Sequence, residues 1–250
     1  MPRLSLIVIT KNEEASIERC LQSAAGIADE IVIVDSGSTD RTLDIAREFG
    51  AKILEPKDWP GFGPQKQRAQ DAASGDWILS LDSDEWMEDN LLREIRAVLS
   101  DVHAAPGYRM PRRNRFMGKI VRFGGWWPDR VLRLYRRDRG HFNGNLVHES
   151  VIVDGEVRTL QYPIEHNTIV SAEDAEGKVE RYSEIAAQEL RAKGRRSSAL
   201  VAKLRGAAAY LRSFVFQLGF LDGTTGHRVA RYQSRYTYKK WAKTAAAKAR

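Results

Sequence analysis

Nearly continuous apolar runs alternate with amphipathic segments along the first hundred residues. The runs lie at 4–10 (LSLIVIT), 30–35 (EIVIVD), 51–56 (AKILEP) and 76–82 (DWILSLD). Such runs are typical of strands buried on both faces of a sheet. Segments with apolar residues at helical spacing follow them at 11–24, 41–50, 61–75 and 90–100. The alternation predicts an α/β fold, in which a mostly parallel, Rossmann-like sheet carries helices on both faces.

Beyond residue 105 the pattern changes to short strands and loops rich in arginine and aromatic residues. The segment 146–157 (LVHESVIVDGEV) predicts a hairpin, because an Asp-Gly pair at 154–155 separates two apolar stretches. Two helices are predicted, over 173–193 and 199–220. We therefore predict a catalytic domain over 1–170, with halves 1–100 and 101–170, and a basic C-terminal helical region over 171–250.

Composition is ordinary for a globular protein, but charge is unevenly distributed along the chain. Hydrophobic residues make up 42% and charged residues 29% of the 250 residues, and the net charge is +7. Residues 191–250 hold 15 Lys or Arg and one acid, Asp222, a net of +14; residues 1–190 hold 25 Lys or Arg and 32 acids, a net of −7. A basic tail on a mildly acidic body predicts an anionic partner.

The compartment is predicted from cysteine content and from the N-terminal segment. A single cysteine, Cys20, permits no disulfide within the chain, which fits a reducing compartment. Acidic residues follow the first apolar run at once, so that run predicts a strand and not a signal peptide. No apolar window reaches the roughly 20 residues of a membrane span. We predict a cytoplasmic protein that makes peripheral contact with the inner face of the cytoplasmic membrane.

Polar residues occur where three of the predicted strands end. Thr10, Asp35 and Asp82 each lie at the carboxyl end of a strand. Ligands of open α/β sheets bind beyond those ends. We therefore expect these three side chains to share one crevice, although they are far apart in the sequence.

The segment LSLDSDE places two carboxylates, Asp82 and Asp84, directly after a buried strand. Hard divalent cations such as Mg²⁺ and Mn²⁺ prefer oxygen ligands and are often shared with substrate phosphates. The alternative is an acidic loop that caps the next helix. Neither a G-x-G-x-x-G after the first strand nor a P-loop motif occurs, so these phosphate sites are disfavoured. What remains is a nucleotide site that holds its diphosphate through a metal, with Asp35 near the base or ribose.

Five segments together resemble a known family: VITKNEE, VDSGSTDRT, LSLDSDE, GGWWPDRVLRLYRR and LVHE. They are similar to glycosyltransferase family 2, of the GT-A fold, and most of all to bacterial lipopolysaccharide-core glycosyltransferases. The resemblance implies a hexosyltransferase that acts with inversion, uses a UDP- or ADP-linked sugar and needs Mg²⁺ or Mn²⁺. It also implies a lipopolysaccharide-core or lipid-linked acceptor at the inner face of the cytoplasmic membrane.

The resemblance also implies which residues bind the nucleotide sugar. Thr10, Asn12 and Glu13 match the loop after the first strand that holds the nucleotide. Asp35 and Ser36 match the turn that contacts the base and ribose. The remaining contacts that it implies are Lys66, Asp82 and Ser83.

Catalytic and metal-binding residues are implied by the same resemblance. Glu149, in LVHES, matches the catalytic carboxylate, which would act as the base toward the acceptor. Asp129, in WWPDR, is the rival base or a group that binds the acceptor. Asp84 is implied as the main metal ligand, with Asp82, and His166 matches a late histidine that completes the metal site. His148 is expected to be structural or to orient Glu149.

Residues 109–139 hold eleven Lys or Arg residues and two acids, with Trp126 and Trp127 among them. Arginine binds phosphate and carboxylate groups well, and tryptophan stacks on sugar rings, so an acceptor surface is favoured. A nucleic-acid surface is the alternative, and we predict no nucleic-acid partner because the acidic crevice would repel a polynucleotide.

The segment 199–220 places apolar residues at 200, 204, 207, 211, 214 and 218, which is one helical stripe. The stripe packs either on the catalytic domain or on an anionic membrane surface, and the charge of the tail favours the membrane. Two other function classes remain open: a nucleotidyltransferase with the same crevice and metal, and an anion-binding module without catalysis. The pattern does not predict an oligomeric state.

Overall fold

The computed structural model describes residues 2–143 and 149–246. The strands are β1 (Leu4–Thr10), β2 (Glu30–Asp35), β3 (Lys52–Leu54), β4 (Trp77–Asp82), β5 (Glu85–Met87), β6 (Gly107–Phe116), β7 (Lys119–Ile120), β8 (Asp129–Arg136), β9 (Gly140–Phe142), β10 (Val151–Val153), β11 (Val157–Thr159) and β12 (Ile164–Ile169). The α-helices are α1 (Ile17–Ala24), α2 (Thr42–Glu48), α3 (Phe62–Ala72), α4 (Asp89–Ser100), α5 (Ala172–Ala192), α6 (Ala199–Leu211) and α7 (Gly223–Ala246). A π-helical turn (Arg212–Phe216) and a 3₁₀ turn (Gly219–Asp222) lie between α6 and α7.

The four predicted strands of the first hundred residues form the parallel half of the sheet, in the order β3-β2-β1-β4. Thr10 lies opposite Asp35 in the pairing of β1 with β2, and Ile9 lies opposite Asp82 in the pairing of β1 with β4. The carboxyl ends of these strands therefore lie side by side, as the sequence predicted.

Beyond β4 the sheet continues through β8, β6, β12 and β5, so the whole sheet is mixed. Strand β8 runs antiparallel to β4 and β6, and β12 runs antiparallel to β5. Residues 146–148 of the predicted 146–157 hairpin lie outside the described residues, and within 149–157 the prediction is wrong, because β10 pairs with β9 and β11 pairs in parallel with β6. The Asp-Gly pair lies between these strands, with Gly155 at φ +123°, but β10 pairs with the preceding strand β9 and β11 pairs with the remote strand β6.

Helices cover both faces of the parallel half. On one face, buried side chains of α1, α2 and α4 pack on alternate strand residues such as Leu6 and Ile33. On the other face, α3 packs on the intervening residues, among them Ile7 and Val32. This alternation is the reason that the strands are apolar at consecutive positions.

Helix α1 begins later than predicted. The KNEE segment was expected to open a helix, but α1 starts only at Ile17. The preceding loop is fixed instead by the β2–α2 turn: the Asn12 N–H donates to the Ser38 hydroxyl (2.8 Å) and the Glu13 N–H donates to the Thr42 hydroxyl (2.7 Å). These hydrogen bonds between distant segments replace those of a first helical turn, and Asn12 adopts a left-handed φ of +55°.

The chain divides into two compact units. Unit 1 comprises residues 2–112 and 129–166, and unit 2 comprises residues 113–128 and 167–246 within the described chain. The domain division predicted from the sequence, 1–170 and 171–250, stays a prediction. Among the described residues, no helix combines the length and the apolar character that crossing a bilayer requires.

Unit 2 has a small core of its own, centred on the buried residues Phe116, Val121, Ile169 and Val229. Acidic residues of α5 pair with cations of α7. For example, Lys239 Nζ lies 2.6 Å from Glu176 and 2.7 Å from Glu180. Hydrogen bonds from Lys239 and Lys243 lower the pKa of Glu180 to about 2. Part of the positive charge of the tail is therefore used within unit 2.

Candidate active site

A buried lysine joins two of the predicted site carboxylates at the carboxyl edge of the parallel strands. Lys66, on α3, donates to Asp82 Oδ1 and to Glu149 Oε1, each at 2.7 Å. The Lys66 side chain is only 3% exposed, while those of Asp82 and Glu149 are 29% and 19% exposed. Three residues from distant parts of unit 1 thus meet where a ligand of the sheet would bind.

Two arginines and a third carboxylate extend this cluster. Arg133, on β8, donates to Asp82 Oδ2 and to Glu85 Oε1, the latter at 2.7 Å. Arg112, on β6, lies 3.1 Å from Glu85 Oε1 and 2.8 Å from Asp129 Oδ2. Glu85 is fully buried and also accepts the Asp82 N–H at 3.0 Å, so it fixes the turn that carries the carboxylates.

The cations of the cluster keep Asp82 ionised. Burial alone would raise the pKa of Asp82, but the charges of Arg133 and Lys66 outweigh burial and hold this pKa well below its usual range. For Arg133, burial would lower the pKa, but Asp82 and Glu85 raise it overall. Asp82 is therefore a carboxylate that two protein cations already neutralise.

Asp84 and His166 form a second pair at the same edge. His166, on β12, lies opposite Glu85 of β5, and its Nε2 is 3.3 Å from Asp84 Oδ2. No group of three His, Cys, Asp or Glu side chains able to hold a metal occurs within residues 2–143 and 149–246. A cation that keeps its waters and takes oxygens from a diphosphate needs only one or two protein ligands. The carboxylate and imidazole of this pair fit such a cation, whereas Asp82 is occupied by Lys66 and Arg133.

Thr10 and Asp35 meet as predicted, but Asp35 is engaged by the protein itself. It is fully buried, and its Oδ1 accepts the hydroxyls of Thr10 (2.9 Å) and Ser38 (2.5 Å). Its Oδ2 accepts the N–H groups of Gly37 (2.8 Å) and Ser38 (2.7 Å). The neighbouring Ser36 is half-buried. Asp35 therefore shapes the turn after β2, and its contact with a nucleotide stays a prediction.

The other predicted nucleotide residues lie in the loops of the same edge. Asn12 is exposed and its Oδ1 accepts the Thr39 N–H at 2.8 Å, while Glu13 Oε2 accepts the Ser16 hydroxyl at 2.6 Å. Ser83, between the two aspartates, is 7% exposed. These roles stay predictions, and His148 lies outside the described residues.

Sequence reasoning missed Arg112 and Arg133, which belong to a stretch with eleven cationic residues and cannot be singled out by pattern. It also left Glu85 without a role, although the D-x-D-E order contains it. Trp126 is partly buried in unit 2 and packs against Phe116, with ring centroids 6.0 Å apart, whereas Trp127 is 41% exposed, so the stacking of a sugar ring stays a prediction.

We expect Arg133→Met to destabilise the protein by about 3–5 kcal/mol, because it leaves buried Glu85 and part-buried Asp82 short of a cation. The measurement is the free energy of unfolding in urea. Arg47→Met is the matched control, since its pair with Asp44 is exposed and should change stability by less than about 1 kcal/mol. Equal effects of the two substitutions would contradict a structural role for the buried cluster.

The comparisons with known proteins bear on the family and the fold of this chain. Residues 5–148 match the model of Glycosyl transferase family 2. An uncharacterized glycosyltransferase of Rickettsia bellii is 30% identical over 237 residues, covering 90% of this chain and 80% of that protein. The lipopolysaccharide core biosynthesis glycosyltransferase LpsC of Rhizobium meliloti is 35% identical over 166 residues, covering 62% of this chain and 58% of that protein.

Among solved structures, the glucosyl-3-phosphoglycerate synthase of Mycobacterium tuberculosis, in complex with Mn²⁺, UDP and glucosyl-3-phosphoglycerate, is 28% identical with a TM-score of 0.38. That match covers 46% of this chain and 44% of the synthase, so the chain spans less than half of its length. The family match spans more than half of the 250 residues and contains β2–β4 and all of β1 but its first residue, which agrees with the GT-A fold class that the resemblance implied. The chain therefore belongs to glycosyl transferase family 2 and is a glycosyltransferase.

Proposed function

We propose that the protein transfers a sugar, with inversion, from a UDP- or ADP-linked donor to a lipid-linked or lipopolysaccharide-core glycan, and that the reaction needs Mg²⁺ or Mn²⁺. The observation that carries this proposal is the Lys66 bridge between Asp82 and Glu149. It joins the first carboxylate of the D-x-D pair to the carboxylate that the family resemblance implies as the base.

Inverting transfer requires a base on the side of the acceptor. The acceptor hydroxyl oxygen forms a bond to the anomeric carbon, while the bond from that carbon to the diphosphate oxygen breaks and its electron pair leaves with the diphosphate. Glu149 takes the hydroxyl proton. With 19% of its side chain exposed, Glu149 is open to an acceptor and is also held in position by Lys66.

Asp129 is the other carboxylate within this cluster. It is 32% exposed and bound by Arg112 at 2.8 Å. We assign Asp129 to binding acceptor hydroxyls, because Arg112 already fixes it as a charged hydrogen-bond acceptor. Its loss should weaken acceptor binding more than it slows proton transfer.

The departing diphosphate carries negative charge that must be stabilised. A divalent metal held by Asp84 and His166 would supply that stabilisation as a Lewis acid. Lys66, Arg133 and Arg112 surround Asp82 and offset the negative charge of the carboxylates at the same edge, which would otherwise repel the diphosphate. We assign the nucleoside to the β1 and β2 loops, with Thr10, Asn12, Glu13 and Ser36 at its contacts and Ser83 at the diphosphate.

The acceptor class rests on the similarity to LpsC, whose name assigns it to lipopolysaccharide core synthesis. We propose that this chain glycosylates a related lipid-linked glycan at the inner face of the cytoplasmic membrane. The basic C-terminal region, with 15 Lys or Arg and one acid over residues 191–250, fits an anionic surface there.

The test is the release of nucleoside diphosphate from a panel of UDP-, ADP- and GDP-sugars in Mn²⁺, Mg²⁺ or EDTA. We expect slow hydrolysis of one donor that requires metal. Release of pyrophosphate instead would identify a nucleotidyltransferase. Absence of both release and metal-dependent nucleotide binding across the panel would contradict the proposal and leave a binding module.

A further inference from the structure

Helix α6 exposes its large apolar side chains and packs by its small ones. Ala202 and Gly206 are buried on the side that packs on α7, where a β-carbon at Gly206 would lie 3.0 Å from Tyr238 Cβ. On the opposite face Leu200 and Leu204 are 66% and 61% exposed. A helix that contributes only to a protein core shows the reverse arrangement.

The exposed apolar surface continues through the turns between α6 and α7. Its members, which we call the apolar ridge, are Leu211, Val215, Phe216, Leu218, Phe220 and Leu221. Each is between 45% and 79% exposed, and Phe216 is the most exposed. Contiguous apolar patches on a protein surface mark interaction sites more often than single exposed residues do.

The apolar ridge is held in a defined shape by the rest of unit 2. Gly124 N–H donates to the Gln217 carbonyl (2.8 Å), and the Ser213 hydroxyl donates to the Gly124 carbonyl (3.1 Å). Leu218 adopts a left-handed φ of +58°, which is unfavourable for leucine. The chain thus accepts backbone strain where it exposes a leucine, and strain of this kind concentrates at functional sites.

Cations lie beside the apolar ridge. A cleft of about 460 Å³ is lined by Leu221 together with Arg115, Lys119 and Arg122. The acid in this cleft, Asp222, accepts two backbone N–H groups, from Arg122 and Phe123, both at 2.9 Å.

Four cationic side chains near the apolar ridge are not paired with acidic side chains of the described residues. Within the part of the chain that the structure describes, Lys119, Arg122, Lys203 and Arg212 form no ion pair. By contrast, Arg235, Lys239 and Lys243 of α7 are paired with acids of α5. The uncompensated charge of unit 2 therefore includes positions adjoining the exposed apolar residues.

We propose that the apolar ridge and these four cations form a docking surface for an anionic phospholipid bilayer. The ridge enters the boundary between headgroups and acyl chains, while the cations contact lipid phosphates. A second copy of this chain is disfavoured as the occupant, because it would bring the same positive charge to the surface. The proposal deepens the membrane location of the proposed function by naming the residues that make the contact, and it requires neither donor nor metal.

The test is sedimentation of the full chain with vesicles of phosphatidylglycerol and phosphatidylethanolamine, against vesicles of phosphatidylcholine alone. We expect binding to the anionic vesicles, weakened by raising salt from about 0.05 M to about 0.5 M. Phe216→Ser should lower the partition coefficient about 10-fold, since it removes a side chain that would be buried in lipid.

Matched substitutions separate the ridge from general effects. Val215→Ser should weaken vesicle binding, whereas Val102→Ser, at an 85% exposed position of unit 1, should not. Likewise, Lys119→Gln should weaken vesicle binding more than Lys57→Gln does. Lys57→Gln is the control, because Lys57 is an exposed lysine of unit 1. All four sites are exposed, and circular dichroism checks the fold.

Equal binding by both members of each pair, or no preference for anionic vesicles, would overturn the proposal. So would self-association in sedimentation equilibrium that Phe216→Ser abolishes, because the ridge would then cover a second copy. Vesicle binding without sugar transfer would refute the proposed function and leave the docking surface standing.

Discussion

Glu149→Gln is expected to lower kcat for sugar transfer by about 100- to 10,000-fold, because the neutral amide cannot take the proton of the acceptor hydroxyl. Affinity for the donor nucleotide should change little, since the role proposed for Glu149 is on the acceptor side. The amide can still accept a hydrogen bond from Lys66, which bridges Glu149 and Asp82, so the local structure should persist. The measurements are single-turnover transfer rates and nucleotide binding by calorimetry.

Asp129→Asn is the matched control, because Asp129 belongs to the same cluster and is the rival base. We expect it to raise KM for the acceptor with a smaller loss in kcat. If Asp129→Asn abolished turnover while Glu149→Gln left kcat intact, the two assignments would be exchanged. Glu149→Asp, which retains a carboxylate on a shorter side chain, should recover part of the activity.

Asp84→Asn is expected to weaken metal-dependent nucleotide binding by at least about 100-fold and to abolish donor hydrolysis. Loss of a group that only orients a metal ligand typically lowers metal affinity by about 10- to 100-fold. Loss of the ligand itself should lower metal affinity more. His166→Ala should act in the same direction, because its Nε2 lies 3.3 Å from Asp84 Oδ2. Mn²⁺ binding in the presence of UDP, followed by electron paramagnetic resonance, measures the effect directly.

Asp82→Asn separates the two aspartates of the D-x-D pair. Because Lys66 and Arg133 already neutralise Asp82, its substitution should reduce stability more than it reduces metal affinity. The family resemblance implied both aspartates as ligands. Asp82→Asn could instead lower Mn²⁺ affinity as much as Asp84→Asn does, with stability unchanged. That result would mean that Asp82 gives up its contacts with Lys66 and Arg133 and binds the metal.

The C-terminal region illustrates a limit of pattern reasoning. The stripe at 199–220 was compatible with packing on the catalytic domain and with a membrane surface. Periodicity shows that a face is apolar, but it does not show whether another element covers that face. In the structure Leu200, Leu204 and Leu211 are at least half exposed, while Ala202 and Gly206 are buried. The face of α6 that packs on the protein is therefore the face formed by small residues.

The late start of α1 has a similar cause. Local preference favoured a helix from the KNEE segment, and helix propensity is a weak constraint when other hydrogen-bond partners are at hand. Asn12 and Glu13 find those partners in Ser38 and Thr42 of the next loop. Both loops flank Thr10 and Asp35, so this departure from local preference lies at the candidate site.

The sequence by itself determined the parallel half of the sheet, the helices on its two faces and the alignment of the strand ends that carry Thr10, Asp35 and Asp82. These features follow from local periodicity and from the rule that parallel strands end at one edge. Only the tertiary structure selected Arg112 and Arg133 from the many arginines. It alone also joined Lys66 to Glu149, 83 residues away, and gave β10 and β11 separate partners. Such contacts depend on which distant segments pack together, and no local pattern records that choice.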